Sequence, residues 1–124
     1  PDLRTWNTFL SILLKRGKPK WVLDGIRDLR NKVPDASLKM TLNDIITTCN
    51  MEIRAYCELD KYEEAVQVLK KMRGSYGIGI NDETVLALFD GFAKNENMFQ
   101  DIVSQGLLGN ISIRAKTLLK RRRA

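Results

Sequence analysis

Histidine is absent from all 124 residues, which removes the commonest general acid and base and a common zinc ligand together. Only two cysteines occur, Cys49 and Cys57. On a helix, eight residues separate them by about 12 Å along the axis, so they do not bond to each other. We expect buried, reduced thiols, no metal site and no cofactor. Long apolar runs are missing too. Charges interrupt every hydrophobic segment well short of the 18 or so residues a membrane span needs, so the reading is a soluble chain. No Gly-rich phosphate loop, nucleophile elbow or metal-ligand cluster is present, and without such a constellation the chain is not expected to be an enzyme or to take a small-molecule substrate. Strand-like alternation is absent as well. The two Asp-Gly pairs, Asp24-Gly25 and Asp90-Gly91, fall inside helical stretches instead of marking hairpins. The chain opens at Pro1 with no signal-peptide pattern, which fits a processed form or a fragment.

What the chain has in quantity is charge, unevenly spread. Residues 1–39 carry nine Lys/Arg against four Asp/Glu, residues 40–113 carry six against eleven, and residues 114–124 carry six against none. The resulting map of +5, −5 and +6 describes a field with two cationic poles, and nucleic acid is the first partner to consider. The alternative reading of Lys15, Arg16, Lys18 and Lys20 is a solvated loop at a helix end, where cations favour the macrodipole.

Apolar residues recur at helical spacing throughout. Trp6, Phe9, Leu10 and Leu13 give a face to a first helix from Leu3 to Arg16, which Gly17 stops. Pro19 opens a second, with Val22, Leu23, Ile26 and Leu29, ended by Val33, Pro34 and Asp35. From 36 to 58 the period continues through Leu38, Leu42, Ile45, Ile46, Cys49, Ile53 and Tyr56, as one long helix or two abutting ones. Lys61 to Arg73 is the next, with Ala65, Val68, Leu69 and Met72 inward, followed by a loop at Gly74, Gly77 and Gly79. Asn81 or Asp82 caps a helix bearing Val85, Leu88, Phe89 and Phe92. Asn97 with Gln100 reads as a capping box for a short helix with Met98, Ile102 and Val103, closed by Gly106 and Gly109. Ile111, Ala115, Leu118 and Leu119 then run into the basic end. The expected fold is all-α, with about six to seven helices as stacked helix-turn-helix units in an α-solenoid: copies near 1–35, 36–82 and 83–109, then a basic helix or tail over 110–124.

The copies carry a resemblance. Leu3-Arg4-Thr5-Trp6-Asn7-Thr8-Phe9-Leu10, then Lys15-Arg16-Gly17-Lys18, closing at Pro34-Asp35, resembles a pentatricopeptide repeat, whose units open like Thr-Tyr-Asn-Thr-Leu-Ile, turn at Lys-x-Gly and end in Pro-Asp. A looser copy runs from Thr47-Thr48-Cys49-Asn50 through Glu63-Glu64-Ala65 and Met72 to Asp82. The third, with Asp90-Gly91-Phe92-Ala93-Lys94-Asn95, is the faintest. Residues 36–45 have no counterpart in the family pattern.

The resemblance implies a concave wall of first helices reading single-stranded RNA, about one base per repeat. Carried over residue by residue, base reading falls to Asn7 and Asn50 in the first helices and to Asp35 and Asp82 at the repeat ends. An Asn paired with Asp in that family favours uridine, then cytidine, so a weak pyrimidine preference is expected. Arg4 and Thr47 stand where relatives carry a base-sandwiching aliphatic residue. Helix capping or solvation is the competing role for these Asn and Asp residues. Phosphate contacts would come from Lys15, Arg16, Lys18 and Lys20 and from the tail residues Arg114, Lys116, Lys120, Arg121, Arg122 and Arg123. A nuclear localisation signal has the same look as that tail. The resemblance further implies organellar RNA metabolism (processing, splicing, stability or translation) in a mitochondrion or chloroplast. Two alternatives stand beside it: a structural subunit of an organellar ribonucleoprotein such as a mitochondrial ribosome, touching rRNA and protein subunits, or a tetratricopeptide-like protein scaffold.

Overall fold

In the computed structural model, the described residues are 3–32 and 41–109. The expectations placed on Val33, Pro34, Asp35 and Leu38 and on everything beyond Gly109 lie outside them. Six helices occur in order among the described residues, with no strand: α1 (Leu3–Lys15), α2 (Pro19–Lys32), α3 (Leu42–Glu58), α4 (Tyr62–Arg73), α5 (Asp82–Gly91) and α6 (Glu96–Ser104). None of them is long and apolar enough to cross a membrane.

Short polar side chains set the helix starts. Thr41, in extended backbone, accepts from the Asp44 amide at 3.1 Å and opens α3. Asn81 makes a full capping box with Thr84: its side chain accepts from the Thr84 amide at 3.0 Å, and its own amide donates to the Thr84 hydroxyl at 3.2 Å. The cap of α6 is Asn95, whose side chain takes the Met98 amide, and not Asn97 as the sequence spacing predicts. Asn97 already lies in the first helical turn, whereas Asn95 still has the non-helical backbone a cap requires. Gly17, at φ +71°, turns α1 into α2, a left-handed conformation that costs glycine little.

Two apolar clusters share one helix. Leu10 of α1 and Val22 and Ile26 of α2 meet Met51 and Ala55 of α3. On its other side α3 contributes Ile46, Cys49, Ile53 and Cys57 to a larger cluster with Ala65, Leu69 and Met72 of α4, Val85, Leu88 and Phe92 of α5, and Phe99 and Ile102 of α6. The inward faces expected for α4 and most of α5 are therefore as read. In α1 the buried line is Leu3, Asn7 and Leu10, while Phe9 points outward, and in α6 Phe99 takes the inward place expected of Val103. Both helical Asp-Gly pairs sit at close helix contacts. A Cβ on Gly91 would lie 2.6 Å from Cys57 Sγ, and one on Gly25 would lie 3.0 Å from a Leu10 methyl.

Candidate nucleic-acid interface

The first helices of the three copies, α1, α3 and α5, share a register. Leu3, Asn7 and Leu10 in α1 match Ile46, Asn50 and Ile53 in α3, each set spaced at i, i+4 and i+7 on one face. In α5 the same places hold Asp82, Leu86 and Phe89. The residue beside the asparagine line repeats as well: Arg4, Thr47 and Glu83 are all exposed, as are Lys15, Glu58 and Lys94 eleven residues on.

Asn7 and Asn50 make equivalent bonds. Asn7 Nδ2 donates to the Asp44 carbonyl at 2.9 Å while its Oδ1 accepts from the Thr48 hydroxyl at 2.7 Å. Asn50 Nδ2 donates to Asn81 Oδ1 at 3.1 Å while its Oδ1 accepts from the Thr84 hydroxyl at 2.6 Å. Each carboxamide thus ties its own helix to the start of the next first helix. The threonines belong to the register too, since Thr48 stands two residues before Asn50, as Thr5 does before Asn7. Both asparagines are more than nine-tenths buried, at 7% and 6% exposure. An amide has two N–H donors and two acceptor lone pairs, so one of each remains beyond these bonds. Sequence reasoning missed the threonine partners and the burial. The burial was legible, because Asn7 and Asn50 sit inside apolar i, i+4, i+7 lines where a side chain with its own partner is expected.

Asp82 is the first residue of α5, half-buried, next to the Asn81 that receives Asn50. The structure therefore brings Asn50 and Asp82 to one helix end. Asp35 lies outside the described residues, as do Arg114, Lys116, Lys120, Arg121, Arg122 and Arg123. Lys15, Arg16, Lys18 and Lys20 are exposed around the α1–α2 turn, and no ion pair among the described residues involves them.

Charge on the exposed line of the first helices declines along the array. α1 presents Arg4 and Lys15, α3 balances Arg54 against Glu58, and α5 presents Glu83 and Asp90 against Lys94 at its end. Arg54 bridges the last two helices, 3.4 Å from Asp90 and 4.0 Å from Glu83. Beside it an open cleft of about 460 Å³ is lined by Arg54, Cys57, Glu58, Tyr62, Asp90 and Lys94, a mixed set without an anion-binding bias.

The thiols are chemically quiet. Burial pushes Cys49 up to about 11, against the pull of the Arg30 charge, and Cys57 up to about 12. Both are free and buried. Alkylation by iodoacetamide at pH 8 should be slow in the folded protein and complete once urea exposes the chain, because the thiolate is the reactive form. As these folded values are raised, the thiols' contribution to stability is present below the unfolded cysteine value near 8.5 and is lost as pH climbs past it. Rapid labelling of the native protein would contradict the burial.

These repeated helix pairs, with one register in successive first helices, define a helical-repeat protein. Residues 47–76 match the family model described as the PPR repeat. The match begins in α3, includes Asn50 and all of α4, and so falls on the second copy, although the first reads closer to the family's opening motif. No curated protein and no solved structure gives a match.

Proposed function

We propose that the protein binds single-stranded RNA along the wall formed by α1, α3 and α5 and acts by binding, without catalysis, in organellar RNA metabolism. The observation that carries this reading is the PPR match over 47–76 together with the matched asparagines, since Asn50 lies in the matched repeat and Asn7 holds the same register one helix earlier. Base recognition falls to the uncommitted donor and acceptor of each carboxamide, with Asp35 and Asp82 closing the repeats. Phosphates are drawn to the cationic α1 end, to Lys15, Arg16, Lys18 and Lys20, and to the tail cations from Arg114 to Arg123. A mitochondrion or a chloroplast is the proposed setting, from the habit of the family.

Titration of the purified chain with short oligouridine and oligoadenine tests this. Micromolar or tighter binding with a preference for oligouridine is expected, and equal affinity for the two removes base reading by Asn7 and Asn50. Deleting residues 114–124 should weaken binding severalfold and flatten its salt dependence by about 0.7 log units per lost phosphate contact. An unchanged slope excludes the tail from the complex.

One observation favours a second reading, a structural subunit of an organellar ribonucleoprotein. Asn7 and Asn50 are largely buried and each is already bonded to the next first helix, which suits a supporting role. Failure of every short strand to bind the isolated chain, with binding restored in a purified large assembly, would decide for that reading.

A further inference from the structure

We propose that Trp21 is a base-stacking residue for single-stranded RNA, at a site on the α1–α2 turn where Lys15, Lys18 and Lys20 hold the flanking phosphates. It deepens the RNA-binding reading and rests on it, but it places a contact away from the asparagine line, on a residue outside the apolar stripes.

Trp21 is 59% exposed, in the first turn of α2. A single exposed indole is ordinary by itself, and the chemistry around this one is what gives it meaning. What surrounds it selects that ligand. Residues 3–23 contain no Asp or Glu, while Lys15, Arg16, Lys18 and Lys20 crowd the turn. The nearest acid in sequence, Asp24, is held by Arg27 at 2.8 Å. Arg30 is matched by Glu52 and Arg54 by Glu83 and Asp90, and the cations of α4 share their helix with its own acids Glu63 and Glu64, whereas the turn has four cations in a stretch without any acid. An aromatic surface set among cations that form no ion pair among the described residues has the chemistry of a single-strand binding platform, in which the ring stacks a base of any identity and the cations follow the backbone.

The platform is fixed before a ligand arrives. Gly17 closes the turn with its amide on the Leu14 carbonyl at 3.1 Å, the Lys18 amide reaches the Leu13 carbonyl at 3.0 Å, and the Trp21 amide reaches the Lys18 carbonyl at 3.1 Å. Val22, the next residue, is fully buried against α1 and α3 and sets the helix rotation that turns Trp21 outward. Lys18 Nζ lies 5.2 Å from the Trp21 ring centroid, over one face of the indole, so the ammonium orients the ring and a base would stack on the opposite face. A ring already held in place loses little conformational freedom on stacking.

The test uses the whole chain and oligouridine. Trp21→Ala, at a residue more than half exposed, should melt close to wild type yet bind at least about fivefold more weakly, the lower end of what one stacked base contributes. Trp21→Phe should keep most of the affinity. Trp21→Ala should leave the salt slope unchanged, whereas Lys15→Ala, Lys18→Ala and Lys20→Ala together should lower it by about 0.7 per lost contact. In Trp6→Phe, Trp21 is the sole indole, and the change is mild because Trp6 Nε1 is buried with no hydrogen-bond partner. Emission from Trp21 in that protein should be quenched as RNA binds. Oligouridine binding by wild type with full affinity in Trp21→Ala, or with Trp21 emission unaltered, overturns the stacking site and leaves the asparagine wall standing. Absence of RNA binding by wild type overturns both.

Discussion

Arg30→Ala is expected to lower unfolding free energy by about 2 kcal/mol in a urea titration, between the values for exposed and for buried pairs, because only the glutamate of this pair is buried. The guanidinium makes a two-pronged contact with Glu52, Nη1 to Oε2 and Nη2 to Oε1, both at 2.9 Å. Glu52 sits in the middle of α3 with its side chain only 10% exposed, while that of Arg30 is 40% exposed. Removing the arginine leaves the carboxylate buried without its counter-charge, and that asymmetry produces the cost. Arg30 also lies 5.8 Å from the Tyr76 ring, so the same side chain helps seat the loop after α4 against α2. Substituting both charges, Arg30→Met with Glu52→Met, should recover most of the loss, since an apolar pair of similar volume needs no counter-charge. A loss below about 1 kcal/mol in Arg30→Ala would show that water supplies what the arginine does, as for exposed pairs.

Asn50→Ala is expected to cost about 2 kcal/mol, because the Thr84 hydroxyl, fully buried, loses its 2.6 Å acceptor and Asn81 loses a donor. Thr84 can turn toward Asn81 Oδ1 at 3.1 Å, which limits the damage. Combining Asn50→Leu with Thr84→Val should be less costly than the sum of the two single changes, since neither side chain then strands the other, although the Asn81 amide loses the Thr84 hydroxyl. Asn7→Ala should cost about as much as Asn50→Ala, because Thr48 likewise keeps a second acceptor, the Asp44 carbonyl at 3.0 Å. RNA affinity of the Asn50 variants, measured well below their melting temperatures, separates the two roles of the amide. Unchanged affinity assigns Asn50 to holding helices together and removes it from base reading.

Most of the helix plan was readable because each helix combines a 3.6-residue apolar period with a punctuating Gly, Pro or capping residue. Phe9 shows where the period is ambiguous. It lies one residue before Leu10, and only the tertiary neighbours decide which of two adjacent large residues faces inward. The start of α3 was unreadable for a related reason. Apolar spacing persists from Leu38 through Leu42, yet Leu42 is over half exposed and the helix opens at Thr41. The cap of α6 turned on Asn95 and Asn97, two identical side chains whose difference lies in backbone that the sequence does not display. At the candidate site, the matched places of Asn7 and Asn50 followed from the repeat, but their partners Thr48 and Thr84 are 41 and 34 residues away, beyond any local pattern. Trp21 escaped notice because attention to apolar stripes passes over a large residue lying off them.

One helix, α3, supplies residues to both apolar clusters, and among the described residues no other helix does. In an ordinary repeat array each unit touches its neighbours and stability accumulates unit by unit, so part of the array can persist when another part melts. Here the first hairpin and the last two helices lean on opposite flanks of the same rod. Loosening either flank strips contacts from the rod that the other flank needs, and the described region should come apart as one body, like an arch that has lost its middle stone.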